Sequence, residues 1–359
     1  MTAAPRRFVH VFATFGAGGP QVRTVQLLAQ LGPRYHHVVM AMDGRTEAAE
    51  MLRNVACEIA PPPRRRGFLA TVSSQAAWLR EQRPDLVLTY NWGAIETAAA
   101  ARRLGLPRVH HEDGFGPEEA KRPLRRRSWV RTIVLRAAPV IVPSAVLVRI
   151  AAKHWRLLED RVFLLPNGVD LQRFRPAAAS DGALVVGTVG GLRAEKDHET
   201  LLEAVSRLVP LPRVRIVGGG VLDGTLRARA ASLGLADAVD FAGPVADTAP
   251  SYAGFSVFAL SSRTEQMPIA LLEAMACGLP VVATDVGDVR AMLPPEQAEF
   301  VVPAGDPDAL AAALRRQLQD AALRARLGAA NRRQVEAKYE ASACLDRFVR
   351  VYESLLPRS

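Results

Sequence analysis

Short apolar runs alternate along the chain with longer segments of helical periodicity. Runs of three to six mostly apolar residues predict buried strands, because a strand covered on both faces reads as a continuous apolar stretch. The predicted strands are residues 8–12, 38–42, 86–89, 108–111 and 140–142 in the first half, and 184–189, 214–217, 238–241, 257–260 and 281–283 in the second.

The segments between these runs predict helices. Residues 21–31 place Val22, Val25, Leu28 and Ala29 on one stripe, and residues 199–208 form a helix in the second half. The ending, residues 341–356, is a helix whose stripe carries Leu345, Phe348, Val349 and Tyr352. Parallel strands need helical crossovers that cover the sheet, so the fold class is α/β with doubly wound sheets.

One stretch near the middle of the chain is rich in turn formers. Leu164–Pro176 reads LLPNGVDLQRFRP, and residues 177–182 are small and polar. We place the interdomain linker here, which gives domains of residues 1–172 and 173–340 followed by a terminal helix over 341–359. Two similar α/β halves joined in this way predict a cleft between them, where ligands commonly bind.

The charge is unevenly distributed. Of 359 residues, 46 are Lys or Arg and 36 are Asp or Glu, a net charge of +10. Residues 1–180 hold 27 cations and 14 acids (+13), and the remainder holds 19 and 22 (−3). The excess concentrates at Arg64–Arg66 and Lys121–Arg136. It indicates either a solvated face or an anionic partner: lipid headgroups or a polyanionic acceptor, but not nucleic acid, because the patch lacks interleaved aromatic residues.

Cysteine spacing and the N-terminus bear on the compartment. Cys57, Cys277 and Cys344 lie far apart, which excludes a disulfide framework and a CxxC metal site. No apolar run reaches the roughly 18–20 residues of a spanning helix, and the first residues lead directly into a strand. We therefore expect a cytoplasmic protein, peripheral at the inner face of the membrane if the basic half binds lipid.

The segment Ser261–Asp288 carries the most specific signal. Glu265 lies in a loop, and Glu273 lies on the helix that Pro268 opens and Gly278 ends. A rise of roughly 1.5 Å per residue puts Glu273 about 6 Å along the helix axis. This separation suits the two sugars of a nucleotide-sugar, and the helix N-terminus suits its diphosphate.

This segment resembles the E-x7-E signature of retaining glycosyltransferases with the GT-B fold, the group often called family 4. Further matches are GAGG at Gly16–Gly19, PNGVD at Pro166–Asp170, LRAEK at Leu192–Lys196 and VGGG at Val217–Gly220. The resemblance covers nearly the whole chain. It implies two Rossmann-like domains facing across a cleft, with the donor on the second, the acceptor on the first, and the last helix crossing back to the first.

The resemblance also implies roles for individual residues. Glu265 contacts the transferred sugar, Glu273 holds the donor ribose, and the main chain joins them. The main-chain positions are Gln266, Met267, Pro268 and Ile269. The alternative interpretation of Glu273 is a solvated helix residue.

Two cations follow the first strand of the second half. Arg193 and Lys196 can stabilise the charge that develops on a diphosphate leaving group without a metal, and no DxD metal motif is evident. The family's Arg falls on Gly191 here, so Arg193 is either a shifted substitute or a surface residue.

Two glycine runs are candidates for backbone contacts with the donor. Gly218 and Gly219 allow close approach of the nucleotide, and Gly18 and Gly19 precede a helix that can present N–H groups to the diphosphate. Both runs are also compatible with tight turns. The spacing is not GxGxxG, so a nicotinamide cofactor is disfavoured.

The loop after the strand at residues 108–111 is polar and reads His111-Glu112-Asp113-Gly114. The family places a functional His in this loop, and here either His111 or Asp113 contacts the transferred sugar. Neighbouring strand residues face opposite ways, so the adjacent histidines do not predict a metal site. The acceptor-side candidates are Asn91, Trp92, Glu118 and Glu119, and Asn167 is either hinge-proximal or a turn residue.

These features predict a hexosyl-type glycosyltransferase (EC 2.4) that is metal-independent and uses no cofactor. The partners are a UDP- or GDP-sugar, a glycan or lipid-linked acceptor such as a cell-surface polysaccharide, and an anionic membrane surface. The alternatives are an epimerase or sugar-phosphate synthase on the same fold, and a non-catalytic subunit that binds sugar-nucleotides or membranes.

Overall fold

The computed structural model describes residues 5–16, 18–52, 55–63, 67–115, 119, 124–177 and 183–356. The chain separates into two compact units. The first comprises Met1–Asn167 with Ser342–Ser359, and the second comprises Gly168–Ala341. Each unit contains one parallel β-sheet with helices packed on both of its faces.

The first unit contains a seven-stranded sheet in the order β3-β2-β1-β4-β5-β6-β7, with every neighbouring pair parallel. The chain starts in the centre, moves to one edge, then returns past β1 to build the other side. Its strands are β1 Arg6–Phe12, β2 Tyr35–Ala41, β3 Cys57–Ala60, β4 Leu86–Tyr90, β5 Arg108–His111, β6 Val140–Val142 and β7 Val162–Leu164.

The second unit repeats this plan with a six-stranded parallel sheet in the order β10-β9-β8-β11-β12-β13. Numbered within the unit, this is the 3-2-1-4-5-6 order of a doubly wound nucleotide-binding fold. Its strands are β8 Val185–Val189, β9 Arg213–Val217, β10 Val239–Gly243, β11 Val257–Leu260, β12 Val281–Thr284 and β13 Val301–Val302.

Helices connect the parallel strands, as this topology requires. The α-helices within the described ranges are α1 Gly19–Leu31, α2 Phe68–Gln82, α3 Ile95–Arg103, α4 Arg125–Leu135, α5 Ala145–Trp155, α6 His198–Ser206, α7 Asp223–Ser232, α8 Ala249–Ala253, α9 Ile269–Ala276, α10 Val289–Met292, α11 Pro307–Gln319, α12 Ala321–Lys338 and α13 Ala341–Ser354. Within those ranges, none is long and apolar enough to cross a bilayer.

Alternation along the central strands divides each core into two layers. In the first unit, Phe8 and Phe12 point toward α1 and α13, where they join Phe348 in one cluster. Val9 and Val11 point to the opposite face and pack in a second cluster with α2 and α3. α13, the last helix of the chain, is therefore part of the core of the first unit.

The second unit is layered in the same way. On β11, Phe258 and Leu260 pack with Leu271 of α9, whereas Val257 and Ala259 pack on the face covered by α6 and α11. α9, which carries Glu273, is thus fixed against the sheet by its apolar side. This leaves its N-terminal end at the carboxyl edge of the strands.

The predicted fold class is confirmed: both halves are α/β with doubly wound parallel sheets. All ten predicted strands are present, and those at residues 108–111, 140–142 and 257–260 match to the residue. The sequence analysis missed three edge strands, β3, β7 and β13. Each is short, with two to four residues.

The predicted apolar stripe of α1 is confirmed only in part. Leu28 is buried and Val25 packs against the core, but Ala29 is exposed and Val22 is only partly covered. The polar Gln21, Arg23 and Thr24 are buried instead. Their side chains bind groups around them, which lowers the cost of burying them. The α13 stripe is confirmed for its buried members, Leu345, Phe348 and Tyr352.

Candidate functional site

The switch point of the second sheet lies between β8 and β11. The chain leaves these neighbouring strands in opposite directions, which opens a crevice at their carboxyl ends, where ligands of such sheets bind. The loop after β8 carries Arg193 and Lys196, and the loop after β11 carries Ser262 and Glu265. Topology therefore brings together two segments that are about 70 positions apart in the chain.

A charged pair forms at this switch point. The Lys196 ammonium donates to Glu265 Oε1, and the Ser262 hydroxyl donates to the same oxygen at 2.8 Å. Ser261 Oγ donates to the Lys196 carbonyl at 3.1 Å, which ties the two loops together. Both charged side chains are largely buried, so their interaction is screened less than a surface pair would be. The predicted cation and carboxylate thus share one site.

The main chain behind Glu265 is held by a glycine. Gly287 has φ +55°, and a Cβ at this position would lie 2.2 Å from the Glu265 carbonyl oxygen. The adjacent Asp288 N–H donates to the Gln266 carbonyl at 3.0 Å. Any side chain at 287 would therefore displace the loop that carries Glu265.

Glu273 lies on the second turn of α9 and is partly covered. Tyr252 donates its hydroxyl to Glu273 Oε2 at 2.6 Å, and Thr248 Oγ1 lies 3.4 Å from the same oxygen. Burial raises the pKa of Glu273 to about 7, and the Tyr252 hydrogen bond acts in the opposite direction. Because Glu273 is partly covered and bonded, the solvated-helix alternative does not describe it. Neither Tyr252 nor Thr248 was predicted, since both come from a segment with no recognisable motif.

The main-chain positions predicted to bind the donor lie at the start of α9. Pro268 occupies the N-cap and Ile269 is the first helical residue, with Gln266 and Met267 immediately before them. The helix ends as expected, because Gly278 adopts φ +68° just after the C-cap. The positive end of the helix dipole and the N–H groups of its first turn therefore point toward the switch point.

Arg193 is three positions before Lys196 but pairs with a different carboxylate. Its side chain is 60% exposed and pairs with Glu195 at 3.0 Å, while its carbonyl accepts from the Lys196 N–H. The guanidinium thus lies in the same turn as Lys196 without belonging to the Lys196–Glu265 pair.

The glycine run after β9 packs against the loop after β8, which carries Arg193 and Lys196. Gly218 has φ +143°, and a Cβ there would lie 1.9 Å from the Gly190 carbonyl oxygen. Gly219 accepts from the Leu192 N–H at 3.0 Å. Close packing of two main chains therefore requires glycine at 218 whether or not a ligand binds.

In the first unit, the corresponding switch point lies between β1 and β4. Gly18 is the N-cap of α1 and Gly19 is its first residue, so the glycine loop opens a helix as predicted. Residue 17 lies outside the described residues. Asn91 follows β4, and its Oδ1 accepts from the Asp113 N–H at 2.8 Å, which joins the loops after β4 and β5.

Asp113 is held by a buried arginine. Arg23 donates to both carboxylate oxygens, at 2.5 and 3.0 Å, and also to Asn167 Oδ1 at 3.0 Å. Arg23 lies on α1, and its guanidinium packs over the Phe348 ring at 5.2 Å. Sequence reasoning missed this residue. Its only signal is a charge placed between apolar positions of α1, next to the glycine loop.

His111 is placed in the core. It is 1% exposed, its Nε2 lies 2.9 Å from the Tyr352 hydroxyl, and its ring stacks on Tyr90 at 4.6 Å between centroids. Burial lowers the pKa of His111 well below its ordinary value, and the charge of Arg23 acts in the same direction. A neutral ring enclosed between β4 and α13 has no face open to a sugar. This corrects the expectation for His111. Asp113 remains the candidate in this loop, with a side chain that is 7% exposed and bound by Arg23 at both oxygens.

A second buried arginine bears on two predictions: the exposed basic stretch and the acceptor-side residues. Arg131 is fully buried, although it falls within the cationic stretch predicted to lie on the surface. It binds Glu112 at 2.9 Å and Glu119 at 3.1 Å, and the Trp92 ring lies 5.0 Å from its guanidinium carbon. Glu119 is therefore committed to this buried cluster and is not open to an acceptor, whereas Trp92 packs against the cluster and stays half-buried. Glu118, Arg64–Arg66, and residues 121–123 lie outside the described residues.

In the part of the chain that the structure describes, no three His, Cys, Asp or Glu side chains converge as a metal site would require. His110 binds Thr89 Oγ1 at 2.9 Å on one face of β5, and His111 binds Tyr352 on the other. The adjacent histidines therefore point apart.

Comparison with known proteins gives matches over both units. Residues 17–173 match the family described as Glycosyltransferase Family 4, and residues 183–320 match Glycosyl transferases group 1. The D-inositol 3-phosphate glycosyltransferase of Stackebrandtia nassauensis is 30% identical over 281 residues, which cover 72% of this chain and 61% of that protein.

A second curated relative is the GDP-mannose-dependent monoacylated alpha-(1-6)-phosphatidylinositol monomannoside mannosyltransferase of Corynebacterium glutamicum. It is 30% identical over 214 residues, which cover 53% of this chain and 55% of that protein. The chain spans about three fifths of the length of the first curated relatives that it matches. Among solved structures, Anabaena HepE in complex with UDP-glucose matches with a TM-score of 0.85 at 18% identity, covering 97% of this chain and 99% of that one. At this identity the likeness shows the fold alone.

Proposed function

Because the chain belongs to the group 1, or family 4, glycosyltransferases, we propose that it transfers a sugar from a nucleotide-sugar donor to an acceptor. The observation that carries this proposal is the buried Lys196–Glu265 pair at the switch point of the second sheet. Glu273 and the start of α9 lie on the same edge. A cation, two carboxylates and a helix N-terminus match the diphosphate and the two sugars of such a donor.

The donor class follows from the same residues together with the relatives. Lys196 neutralises a diphosphate. Main-chain N–H groups of Ile269, at the start of α9, and of Gln266 and Met267, just before it, donate to the same diphosphate, with Pro268 fixing the turn. Glu273 accepts from the ribose diol. One relative is named for GDP-mannose and one structural neighbour holds UDP-glucose, so we propose UDP- or GDP-sugars.

The proposed reaction proceeds with retention at the anomeric carbon. The bond from that carbon to the diphosphate oxygen breaks, and a bond to the acceptor oxygen forms on the same face. The acceptor proton passes to the departing diphosphate, so no enzyme nucleophile is needed. Lys196, helped by Arg193 once its guanidinium turns from Glu195, stabilises the leaving charge, which makes the reaction metal-independent and free of cofactors. Glu265 binds the transferred sugar next to the reacting carbon.

The first unit supplies the remaining proposed contacts. Gly18 and Gly19 present the N-terminus of α1 to the donor, and Gly218 and Gly219 allow the nucleotide to approach. Asp113, oriented by Arg23 and Asn91, contacts the transferred sugar in place of the buried His111. The acceptor is a glycan or a lipid-linked molecule. The relatives named for inositol 3-phosphate and phosphatidylinositol monomannoside support an acceptor that carries a phosphorylated polyol.

The test is product analysis with purified protein, a panel of UDP- and GDP-sugars, and inositol phosphate and polyprenol-linked acceptors. We expect release of nucleoside diphosphate with a new glycosidic bond of the donor's anomeric configuration, measured by NMR. Glu265→Gln should lower kcat at least 100-fold, the size expected when one preorganised polar contact is lost. The matched change Glu296→Gln, on an exposed residue of the same unit, should leave kcat unchanged.

Three results would contradict the proposal. An epimerised sugar nucleotide with no transfer would indicate an epimerase. Transfer only to a free sugar phosphate would indicate a sugar-phosphate synthase and contradict the proposed glycan or lipid-linked acceptor. Donor binding without turnover in the presence of every acceptor would indicate a non-catalytic subunit.

A further inference from the structure

Helix α4 presents two opposite faces of very different character. Arg131 is fully buried between the rings of Trp92 and Trp155, each 5.0 Å from its guanidinium carbon, and it binds two buried carboxylates. Trp129 lies two positions earlier, which is about 200° around a helix of 3.6 residues per turn. Its side chain is 66% exposed. The buried cluster thus holds the helix in a fixed orientation with Trp129 turned outward.

The outward face combines apolar and cationic side chains. Ile133, one turn after Trp129, is 40% exposed, and Arg125 and Arg126 are exposed one turn before it. All four positions fall within an arc of about 100°. Arg136, also exposed, follows the last turn in the same direction. We refer to these five residues as the α4 face.

The surroundings of the α4 face are exclusively basic in sequence. Residues 120–158 contain ten Lys or Arg and no Asp or Glu. On the neighbouring helix α5, Arg149 and Lys153 are exposed one turn apart. On α3, which packs against α4 from the other side, Arg102 is exposed and donates to the Ile133 carbonyl. The positive surface therefore extends over three adjacent helices.

We propose that the α4 face docks the protein on an anionic lipid bilayer, with Trp129 and Ile133 entering the headgroup region. An indole fits this region because its ring is apolar and its N–H can remain hydrogen-bonded, and arginines bind lipid phosphates while their stems cover apolar surface. The aliphatic Ile133 next to Trp129 favours a bilayer over nucleic acid, whose bases stack on aromatic rings but gain little from a branched alkyl group. This docking goes beyond the proposed transfer reaction and needs no donor.

The experiment is vesicle sedimentation with the full chain. The probes are vesicles of phosphatidylglycerol mixed with phosphatidylcholine, and vesicles of phosphatidylcholine alone, at low and high salt. We expect binding to the anionic vesicles that weakens as salt rises. Trp129→Ala should lower the partition coefficient roughly tenfold, since exposed apolar anchors supply much of such binding. Arg125→Glu with Arg126→Glu should lower it further.

Matched controls separate this face from bulk charge. Val221→Ala removes an equally exposed apolar side chain from the second unit, and Arg326→Glu with Arg333→Glu makes the same charge change on the exposed face of α12. Both controls should bind within about twofold of wild type, because neither changes the α4 face. Melting temperatures of all variants should stay near that of wild type, since every substituted side chain is exposed.

The inference is overturned if the α4 variants bind as wild type does, if the controls lose as much as the α4 variants, or if neutral vesicles bind equally well. It is also overturned if RNA binds more tightly than anionic vesicles and the Trp129→Ala change leaves that binding intact. Glu265→Gln should bind vesicles like wild type. Lost transfer with normal sedimentation would therefore bear on the proposed reaction alone.

Discussion

Two carboxylates on one edge of the second sheet occupy different environments. Glu265 has an ammonium and a hydroxyl as partners, whereas Glu273 accepts from the Tyr252 hydroxyl and feels the more distant charges of Arg173 and Asp247. Burial raises the pKa of Glu273 to about 7. Near neutral pH, Glu273 is therefore divided between a form that only accepts hydrogen bonds and one that carries a proton.

Donor binding should depend on pH through Glu273. A ribose diol donates best to the ionised carboxylate, so the dissociation constant of the donor should fall as pH rises from about 6 to 8. Glu273→Gln should bind more weakly and show no such dependence. Calorimetric titrations at three pH values measure both effects, and a pH dependence that persists in Glu273→Gln would assign it to another group.

Gly287 should be intolerant of any side chain. Gly287→Ala forces either the positive φ or the contact with the Glu265 carbonyl to relax, which should cost about 1–3 kcal/mol and move Glu265 away from the bound sugar. We expect lower kcat as well as a lower melting temperature. Gly224→Ala on α7 is the control, because nothing lies within 4 Å of its added methyl group and φ is helical. Unchanged kcat in Gly287→Ala would refute the positioning role.

At the scale of elements, the central strands follow from their apolar runs, whereas among the edge strands β10 was predicted and β3, β7 and β13 were not. Most of the buried residues of β1, β4, β8 and β11 are apolar, so the pattern is strong. β3 and β7 lie at sheet edges with exposed or half-covered residues, and β13 has only two residues. Their pairing depends on a neighbour already in place, which sequence periodicity does not record.

Helix α1 shows why part of the candidate site could not be predicted from the sequence. Its buried face carries Gln21, Arg23 and Thr24, which periodicity assigns to solvent. The partners of Arg23, which are Asp113 and Asn167, are 90 and 144 positions away in the chain. The E-x7-E segment was predictable because both carboxylates lie in one continuous stretch. The Arg23–Asp113 pair was not, since it exists only after folding.

Helix α13 should be essential to the first unit. Phe348→Ala removes a fully buried ring that contacts His111 and Arg23, and a cavity of this kind typically costs about 3–5 kcal/mol. Arg350→Ala, on the exposed side of the same helix, should cost less than about 0.5 kcal/mol. Urea unfolding of both variants measures the difference. Equal midpoints would show that α13 is dispensable to the core.

At the scale of the whole molecule, neutral buried histidines dominate the pH response. Burial lowers the pKa of His37 in the first unit and of His198 in the second to about 4, and lowers that of His10 and His111 well below the ordinary value. In the unfolded chain each takes up a proton near pH 6.5, so the stability that they contribute is complete above that pH.

Both units should therefore lose stability as pH falls from about 6.5 to 4. His37 alone accounts for roughly 3 kcal/mol over this window, as each pKa unit is worth about 1.4 kcal/mol. The raised pKa of Glu273 acts in the opposite sense, because its contribution is complete below about pH 4.5 and is lost as pH rises through 7. Urea midpoints at several pH values measure the net effect. A midpoint that stays constant from pH 7 to 4 would contradict it.

The most direct test of the account is donor binding at the switch point of the second sheet. Thermal unfolding is followed with UDP-sugars and with GDP-sugars for wild type, Glu273→Ala and the exposed control Glu296→Ala. A ligand at 100 times its dissociation constant adds about 2.7 kcal/mol, which raises the melting temperature by a few degrees. We predict a shift for one nucleotide class that is retained in Glu296→Ala and reduced in Glu273→Ala. No shift with any nucleotide, or an undiminished shift in Glu273→Ala, would contradict the assignment of this edge as the donor site.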